Sequence, residues 1–356
     1  MTDSFFATLR SRFSCWSMPF LSGILLGVSF PSYPFIRLEI LSWIAFVPLL
    51  LSLQKEQGFG RTFREVWLAM LVFSSVSLWW ISLATLPGGL AAILAHSLFM
   101  TVPFLAFFAV KRRRGFRFAL VALPFFWTTW EWVYIQQDLS FGWLTMGNSQ
   151  ACFTPMIQYA DITGVWGISF WLLSFNVLAV LAWRQKDRGV VLHRCLAGML
   201  LMVLLPLGYA WAVFHDGRHD GERSVRVSLV QPNVDPFKKW QQYTSTDLMD
   251  GYYRLSARAV FRDSPELVIW PETAIPFRIL DDNNAGYLHS LRLLLKDWRV
   301  ALLSGFPDVR YGSPDSSDAR DERVFQAFNA SMLLTPDFRE PQVYHKVSAK
   351  DRKSVV

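Results

Sequence analysis

The sequence predicts an α-helical membrane bundle followed by an α/β domain, and three observations lead to this fold class. Apolar residues make up 52% of the chain, with 16 Trp and 30 Phe, which exceeds the content of an ordinary soluble domain. Lys and Arg lie almost entirely in alternate gaps between apolar segments of the first 214 residues. The remaining residues alternate strand-like with helix-like patterns. We therefore predict a transmembrane helical domain, 1–214, and an outer domain, 215–356.

Seven apolar segments are predicted to be membrane helices. A helix that spans a bilayer needs about 17–25 residues. The first two segments are shorter, so we expect them to be broken or tilted. In chain order the segments are 18–31, 38–53, 65–86, 89–110, 116–135, 164–183 and 192–214.

The basic residues predict the orientation of these segments. Alternate gaps carry nearly all of the Lys and Arg, whereas the other gaps hold Arg37 alone. Because short cytoplasmic loops keep an excess of positive charge, we expect the N-terminus inside the cell and 215–356 outside. The basic gaps contain Arg10, Arg12, Lys55, Arg61, Arg64, Lys111, Arg112, Arg113, Arg114, Arg117, Arg184, Lys186, Arg188 and Arg194.

The N-terminus has a second interpretation as a cleaved signal peptide. Arg10 and Arg12 precede an apolar run, which is typical of such peptides. No small-x-small cleavage site follows that run directly, and 31–34 leads into another apolar segment. A retained first helix is therefore the favoured interpretation.

Charge and cysteine content limit the classes of partner and cofactor. The net charge of +7 comes from residues clustered at helix ends and not on one face. This distribution favours anionic lipid headgroups as the counterpart and argues against nucleic acid. Cys15, Cys152 and Cys195 have neither a disulfide pattern nor zinc-ligand spacing. No metal or cofactor is predicted.

The apolar half also contains groups that are unusual at membrane depth. His96 and Glu131 fall within predicted spans, where a polar side chain is unfavourable unless it is paired or hydrated. Direct function is the less favoured interpretation for both. The gap 136–163 is too long for a tight turn and rich in Phe, Trp and Met. We expect it to lie in the headgroup layer or outer leaflet, where a lipid can be bound.

The outer domain is predicted to be an α/β layer structure. Strand-like and helix-like segments alternate along it, which is typical of that class. Ser245 and Thr246 are candidate caps for the first helix, and 313–322 is predicted to be a polar loop. The predicted strands are 224–230, 267–270, 300–305, 327–334 and 342–346, and the predicted helices are 246–262 and 286–296.

Glu272 is the first candidate for chemistry. The hydrophobic strand 267–270 ends abruptly at Pro271 and Glu272, and open α/β sheets place active groups at the carboxyl ends of strands. Pro271 and Pro276 are expected to stiffen the turn. We expect Trp270 and Pro271 to desolvate the carboxylate partly. For an isolated Glu, a surface residue at a strand end is the competing interpretation.

The stretch 270–276, Trp-Pro-Glu-Thr-Ala-Ile-Pro, resembles the first catalytic motif of the apolipoprotein N-acyltransferases, a membrane branch of the nitrilase-like carbon–nitrogen hydrolase superfamily. Two further stretches are similar to this family in the same order, 230–240 and Tyr-His-Lys at 344–346. In the apolar half, 141–150 is also similar. The resemblance covers nearly the whole chain to about residue 346.

The resemblance implies a fold, a reaction and site residues. The outer domain would be the N-terminal half of a nitrilase-like αββα sandwich. The reaction would move a fatty acyl chain from a phospholipid donor to the diacylglyceryl-cysteine of an apolipoprotein, at the periplasmic face of the bacterial inner membrane. Glu272 matches the base, Lys346 the cation that stabilises developing negative charge, and Trp240 and Trp143 match substrate-binding aromatics.

One departure from the family pattern concerns the nucleophile. The resemblance implies a cysteine several tens of residues after Lys346, but the sequence has no cysteine beyond Cys195. A truncated or frameshifted reading frame, a fragment and a degenerate relative are the alternatives. An incomplete chain is favoured, because a single α/β layer leaves a hydrophobic face exposed. The polypeptide as written is expected to be inactive in acyl transfer.

Two functions from other classes stay open. A nitrilase-type amidase tethered to the membrane would hydrolyse a soluble amide without phospholipid. A non-enzymatic seven-span transporter or receptor would carry paired polar residues along several helices, whereas His96 and a few hydroxyl groups are what the sequence places at mid-depth. The transporter is therefore the less favoured of the two.

Overall fold

A computed structural model describes residues 16–31, 37–137, 140–215, 224–234, 243–311, 325–337 and 339–346. The chain forms two compact units, Met1–Arg218 and His219–Val356. The first unit is helical, and the second contains a mixed sheet. The functional division predicted at residue 214 stays a prediction.

The helical unit consists of α-helices joined by short turns and 3-10 helices. The 3-10 helices are Glu39–Trp43, Gly142–Leu144, Met146–Gln150 and Thr154–Met156. The α-helices are α1 Trp16–Val28, α2 Val47–Ser52, α3 Phe59–Leu78, α4 Ile81–Ala84, α5 Leu86–Phe99, α6 Val102–Arg114, α7 Phe116–Ile135, α8 Ala160–Arg184 and α9 Gly189–His215.

Four segments in the described residues are long and apolar enough to cross a membrane. They are Leu86–Arg114, Phe116–Ile135, Ala160–Arg184 and Gly189–His215. The two shorter apolar segments are Trp16–Val28 and Glu39–Ser52. Seven spans were predicted, whereas four segments of the described residues have the length and hydropathy of a membrane span.

The third predicted span, 65–86, is wrong in its bounds. The helix there is α3, which begins at Phe59 and ends at Leu78. Thr85 has an extended backbone, and a proline at the start of the next helix, α5, opens a new segment. The chain therefore breaks between Trp79 and Thr85, where the sequence is mostly apolar and gives no periodic signal.

The second predicted span is broken, as its short length predicted. A 3-10 helix, Glu39–Trp43, is followed by α2 after a short turn. The side chain of Asn176 on α8 supplies hydrogen bonds to this irregular backbone. Its Oδ1 accepts from the Phe46 amide at 2.9 Å, and its Nδ2 donates to the Ser42 carbonyl at 2.9 Å. Backbone groups that leave a helix in an apolar bundle need such partners.

The second unit contains a five-stranded sheet with the order β1-β2-β3-β4-β5. Strands β1 to β3 pair in parallel, and β3 to β5 pair antiparallel. Helix α10, Ser245–Asp263, joins β1 to β2, and α11, Ala285–Trp298, joins β2 to β3. The strands are β1 Val227–Leu229, β2 Leu267–Ile269, β3 Ala301–Tyr311, β4 Phe325–Leu334 and β5 Gln342–His345.

Local sequence explains most of these elements, with two corrections. The cap of α10 is Thr244 and not Ser245 or Thr246: Thr244 and Asp247 form a capping box. Strand β3 continues past the predicted end at residue 305 to Tyr311, because β4 pairs with it antiparallel over this whole length. The predicted polar loop 313–322 lies outside the described residues.

The two faces of the sheet differ in burial. In one row across neighbouring strands, Val268, Leu302 and Leu334 are buried in a core with side chains of α10 and α11. In the next row, Leu229 is exposed and Ile269, Leu303 and Leu333 are half-buried. The second face is therefore apolar and less covered within this unit.

Candidate active site

Glu272 lies in a tight turn directly after β2. Trp270 anchors the turn: its ring is buried against Tyr252, with ring centroids 4.8 Å apart, and its Nε1 donates to Ser256 Oγ at 2.8 Å. The backbone amide of Ile275 donates to the carbonyl oxygen of Gly305 at 3.2 Å, which fixes the far end of the turn. The predicted position of Glu272 at a strand end therefore agrees with the structure.

Gly305 on β3 allows the close approach of this turn. A Cβ atom at Gly305 would lie 2.8 Å from both the Glu272 Cα and the Thr273 amide nitrogen. Real Cβ atoms do not approach backbone that closely, so a side chain at this position would displace the turn that carries Glu272. Gly305 carries no local sequence signal for this role, because the turn that it contacts is distant in the sequence.

Lys346 directly follows β5 and meets Glu272. The Lys346 amide donates to the Asn329 carbonyl oxygen at 3.0 Å, which continues the β4–β5 pairing to the site. The Lys346 Nζ lies 3.6 Å from Glu272 Oε1. Both side chains are largely exposed, 59% for Lys346 and 65% for Glu272. The expected partial desolvation of Glu272 stays a prediction, and its predicted convergence with Lys346 agrees with the structure.

Asn329 is a site residue that sequence reasoning missed. It lies on β4, its Nδ2 donates to Glu272 Oε1, and its carbonyl oxygen accepts from the Lys346 amide. The available signal was a single amide in the otherwise mostly apolar predicted strand 327–334. Asn329 thereby connects the carboxylate to the strand that carries the ammonium group.

A cleft of about 340 Å³ opens beside these three residues. Its floor is the less covered face of the sheet, including Ile269, Leu303, Ser331 and Tyr344. A carboxylate, an ammonium group and a carboxamide thus border an apolar floor. Such a set can accept a proton and stabilise an oxyanion beside an apolar substrate group.

A half-buried hydrogen bond between His345 and Asp308 lies next to Lys346 in the sequence. His345 Nε2 lies 2.6 Å from Asp308 Oδ2, and the His345 ring meets the Phe328 ring edge-on with centroids 4.7 Å apart. Asp308 is on β3, so this contact spans β3, β4 and β5. It fixes the end of β5 immediately before Lys346.

The structure places Trp143 in the helical unit and does not describe Trp240. Trp143 is 67% exposed, and its ring stacks on Trp80 with a centroid distance of 5.3 Å. These two rings, with Phe30, Leu78 and other apolar groups, line a cleft of about 320 Å³. Trp240 lies outside the described residues, so its predicted role stays a prediction.

Glu131 is buried in the helical unit. Its Oε1 accepts from Trp127 Nε1 and from the Met146 amide, each at 2.7 Å. His96 is also buried, with Nδ1 2.9 Å from Ser74 Oγ. Glu131 Oε1 and His96 Nδ1 therefore each have a hydrogen-bond partner inside the bundle.

The described cysteines belong to the helical unit. Cys152 is exposed and Cys195 is buried, and both have free thiols. Cys15 lies outside the described residues, and the sequence contains no cysteine after Cys195. Among the described residues, no group of three or more His, Cys, Asp or Glu side chains is arranged to hold a metal ion.

Comparison with known proteins identifies the family. A relative from Chlorobaculum tepidum, an apolipoprotein N-acyltransferase, is 48% identical over 337 residues, or 93% of this chain. The chain belongs to the apolipoprotein N-acyltransferase family. The family's model for the apolipoprotein N-acyltransferase N-terminal domain matches residues 22–178. An apolipoprotein N-acyltransferase from Geobacter metallireducens is 29% identical over 331 residues, or 90% of this chain.

The chain spans part of the length of these relatives. It covers 63% of the Chlorobaculum tepidum protein and 60% of the Geobacter metallireducens protein. The match to the N-terminal-domain model includes Glu131 and Trp143 but not Glu272 or Lys346. The alignment with the Chlorobaculum tepidum relative covers 93% of this chain and therefore includes residues of both units. The domain match lies within the helical unit alone.

Proposed function

We propose that this chain supplies the membrane part and the carboxylate–ammonium pair of an apolipoprotein N-acyltransferase. The reaction moves a fatty acyl chain from a phospholipid to the N-terminal diacylglyceryl-cysteine of an apolipoprotein. The observation that carries the proposal is the 3.6 Å approach of Lys346 Nζ to Glu272 Oε1 at the ends of two strands that are distant in sequence. Family membership supplies the substrate class.

The proposed chemistry needs a thiol in addition to these two groups. Glu272 accepts the thiol proton, and the thiolate attacks the ester carbonyl of the phospholipid. Lys346 stabilises the oxyanion, and loss of the lysophospholipid leaves an acyl thioester. The amine of the apolipoprotein then attacks the thioester, which releases the thiol and forms the amide. The thiol is not supplied by residues 196–356, which contain no cysteine.

We place the reaction at the outer face of the bacterial cytoplasmic membrane. The bundle is proposed to have seven spans, a cytoplasmic N-terminus and a periplasmic second unit, and the alternation of basic gaps supports this orientation. The apolar lining of the Trp143 cleft suits an acyl chain. Neither nucleic acid nor a cofactor has a part in the proposal.

We propose that the second unit is one layer of a nitrilase-like αββα sandwich. The row of apolar side chains from Leu229 to Leu333 is suited to packing against a second sheet, because a sheet with helices on one face needs cover on the other. Glu272 and Lys346 would then lie at the edge of the interface between the two sheets.

A chimera tests the proposed function. Residues 1–346 are joined to the part of the Chlorobaculum tepidum relative beyond its alignment with this chain, and the product is expressed in a bacterium depleted of its own apolipoprotein N-acyltransferase. Mass spectrometry of lipoprotein N-termini measures N-acylation. The chimera is expected to restore N-acylation. Glu272→Gln is expected to lower the rate by about 10²–10⁴-fold, and Lys346→Met by about 10²–10³-fold.

The control is Glu266→Gln, which removes an exposed carboxylate of the same unit that lies outside the cleft. It is expected to retain wild-type N-acylation. Wild-type rates in the Glu272→Gln and Lys346→Met chimeras would contradict the proposed roles. Hydrolysis of a soluble amide in the absence of phospholipid would instead indicate a membrane-tethered amidase.

A further inference from the structure

The loop 140–150 of the helical unit carries exposed Trp143 in its first half and a mostly buried 3-10 helix, Met146–Gln150, in its second half. Asn148 joins the two halves. Its Nδ2 donates to the carbonyl oxygens of Gly142 and Trp143, at 3.1 and 3.3 Å. Contacts that fix the second half therefore also restrict the backbone that carries the Trp143 ring.

Two side chains from neighbouring helices fasten the start of that 3-10 helix. Glu131 on α7 is 2% exposed, and its Oε1 accepts from the Met146 amide at 2.7 Å and from Trp127 Nε1 at 2.7 Å. Ser169 on α8 accepts from the Gly147 amide with its Oγ at 2.9 Å. The first amides of a helix have no partner within it.

The other end of the loop is fastened to the broken second segment of the bundle. Gln150 accepts from Trp43 Nε1 at 3.0 Å with its Oε1, and its Nε2 donates to the Glu39 carbonyl and Ser42 Oγ, each at 2.8 Å. Gly147 packs closely against α8, since an added Cβ would lie 2.4 Å from the Val165 carbonyl oxygen. The loop thus has fixed attachment points on both sides.

We propose that Glu131 is a positioning residue that holds the loop 140–150 so that the Trp143 ring lines the cleft for a phospholipid acyl chain. This inference rests on the proposed function, in which the Trp143 cleft takes that chain. Without the Glu131 acceptor, the Met146 amide and the Trp127 indole would both lack a partner in the bundle. The loop would then leave its position, and Trp143 would lose its stacking on Trp80.

A matched pair of buried carboxylates makes this proposal testable. Glu65 on α3 is 1% exposed and holds another part of the same unit, through Ser52 Oγ at 2.7 Å and Arg61 Nε at 2.9 Å. Neither partner lines the Trp143 cleft. Glu131→Leu and Glu65→Leu therefore remove the same chemical group, and one of them alone should affect the loop.

The experiment uses the 356-residue chain in lipid nanodiscs that contain a phosphatidylethanolamine with a diazirine in its acyl chain. Hydrogen–deuterium exchange over 144–150 measures the fastening of the loop. Photolabelling of 140–145 measures the occupied cleft. Glu131→Leu is expected to raise exchange by at least about tenfold and to lower labelling by about fivefold or more. Glu131→Gln keeps an acceptor oxygen and is expected to stay within about twofold of wild type in both readouts.

Three outcomes would overturn the proposal. One is wild-type exchange over 144–150 in Glu131→Leu, and another is wild-type labelling of 140–145 in that variant. The third is an equal loss of labelling in Glu65→Leu, which would indicate general destabilisation. Ser169→Ala removes the acceptor of the Gly147 amide and the Ser169 contact with Glu131, but it leaves the Glu131–Met146 hydrogen bond in place. It should give a smaller rise in exchange, and it keeps the test decisive if Glu131→Leu does not fold.

Failure of the proposed function gives a different result. If the wild-type chain is not labelled over 140–145 at all, the lipid cleft of the proposed function is wrong. The exchange readout still shows separately whether Glu131 fastens the loop. Labelling of the wild type with loss in Glu131→Leu supports both.

Discussion

The two units of this chain use polar side chains in opposite ways. In the helical unit, Glu131, Gln150 and Asn176 are buried, and each bonds backbone or side-chain groups of a segment that is not a regular α-helix. In the second unit, Glu272 and Lys346 are exposed at the ends of strands. Buried polar groups therefore fix geometry in the first unit, whereas the backbone of the sheet positions an exposed carboxylate and an exposed ammonium group in the second.

The substitution Gly305→Val tests whether backbone packing positions Glu272, and it is the prediction here with the largest expected effect. Gly305→Val would place side-chain atoms against the Glu272 turn, since an added Cβ already lies 2.8 Å from the Glu272 Cα. In the chimera, we expect N-acylation to fall by about 10²-fold or more, because a displacement of about 1 Å is enough for such a loss. The rate of N-acylation is measured by mass spectrometry of lipoprotein N-termini.

Gly251→Ala is the matched control for this prediction. Gly251 lies within α10, and nothing lies within 4 Å of an added Cβ there. The substitution should leave N-acylation unchanged and stabilise the helix by about 0.5–1 kcal/mol. Full activity of the Gly305→Val chimera would show that the turn does not depend on this close approach.

The next prediction concerns a buried polar group of the helical unit. Asn176→Leu leaves the Phe46 amide and the Ser42 carbonyl without their side-chain partner. We expect a loss of about 2–3 kcal/mol in the free energy of unfolding, the penalty for buried backbone groups left unsatisfied. Thermal unfolding of the purified chain in detergent measures this loss.

Ser174→Ala supplies the comparison on the same helix. Ser174 Oγ bonds the Phe170 carbonyl of its own helix, so its removal leaves the ladder of α8 intact. Its effect on unfolding should be below about 0.5 kcal/mol. Equal effects of the two substitutions would contradict the role assigned to Asn176.

The sequence predicted the positions of Glu272 and Lys346 better than it predicted the geometry around them. Glu272 follows a strand whose hydrophobic pattern is local, and Lys346 was identified from the resemblance of 344–346 to the family motif, so neither position required knowledge of the fold. Asn329 could not, because its approach to Glu272 depends on the antiparallel register of β3, β4 and β5. The register between strands depends on residues that are distant in the sequence, so no local pattern around Asn329 could reveal this contact.

The helical unit shows a related limit. Hydropathy predicted the apolar helices from Phe116 onwards, because long apolar runs are a strong signal. It did not predict the end of α3 at Leu78, where apolar sequence continues through a turn. Nor did it predict the partner of Glu131, because Met146 lies in an irregular loop whose path depends on packing.

The smallest expected effect concerns Asp247 in the cap of α10. This carboxylate is exposed, as Glu272 is, but its role is structural, as the role of the buried polar groups of the helical unit is. Hydrogen bonds from the Thr244 side chain and amide hold the pKa of Asp247 below its ordinary value of 3.8. A carboxyl whose pKa is lowered by folding stabilises the folded state above the unfolded-state pKa. That stability is lost as the pH falls from about 3.8 through the lower folded-state value.

Asp247→Asn should remove this part of the acid dependence. Hydrogen exchange of residues 245–263 at pH values above and below 3.8 measures the unfolding of α10. The same acid dependence in wild type and Asp247→Asn would show that the capping box contributes nothing to α10.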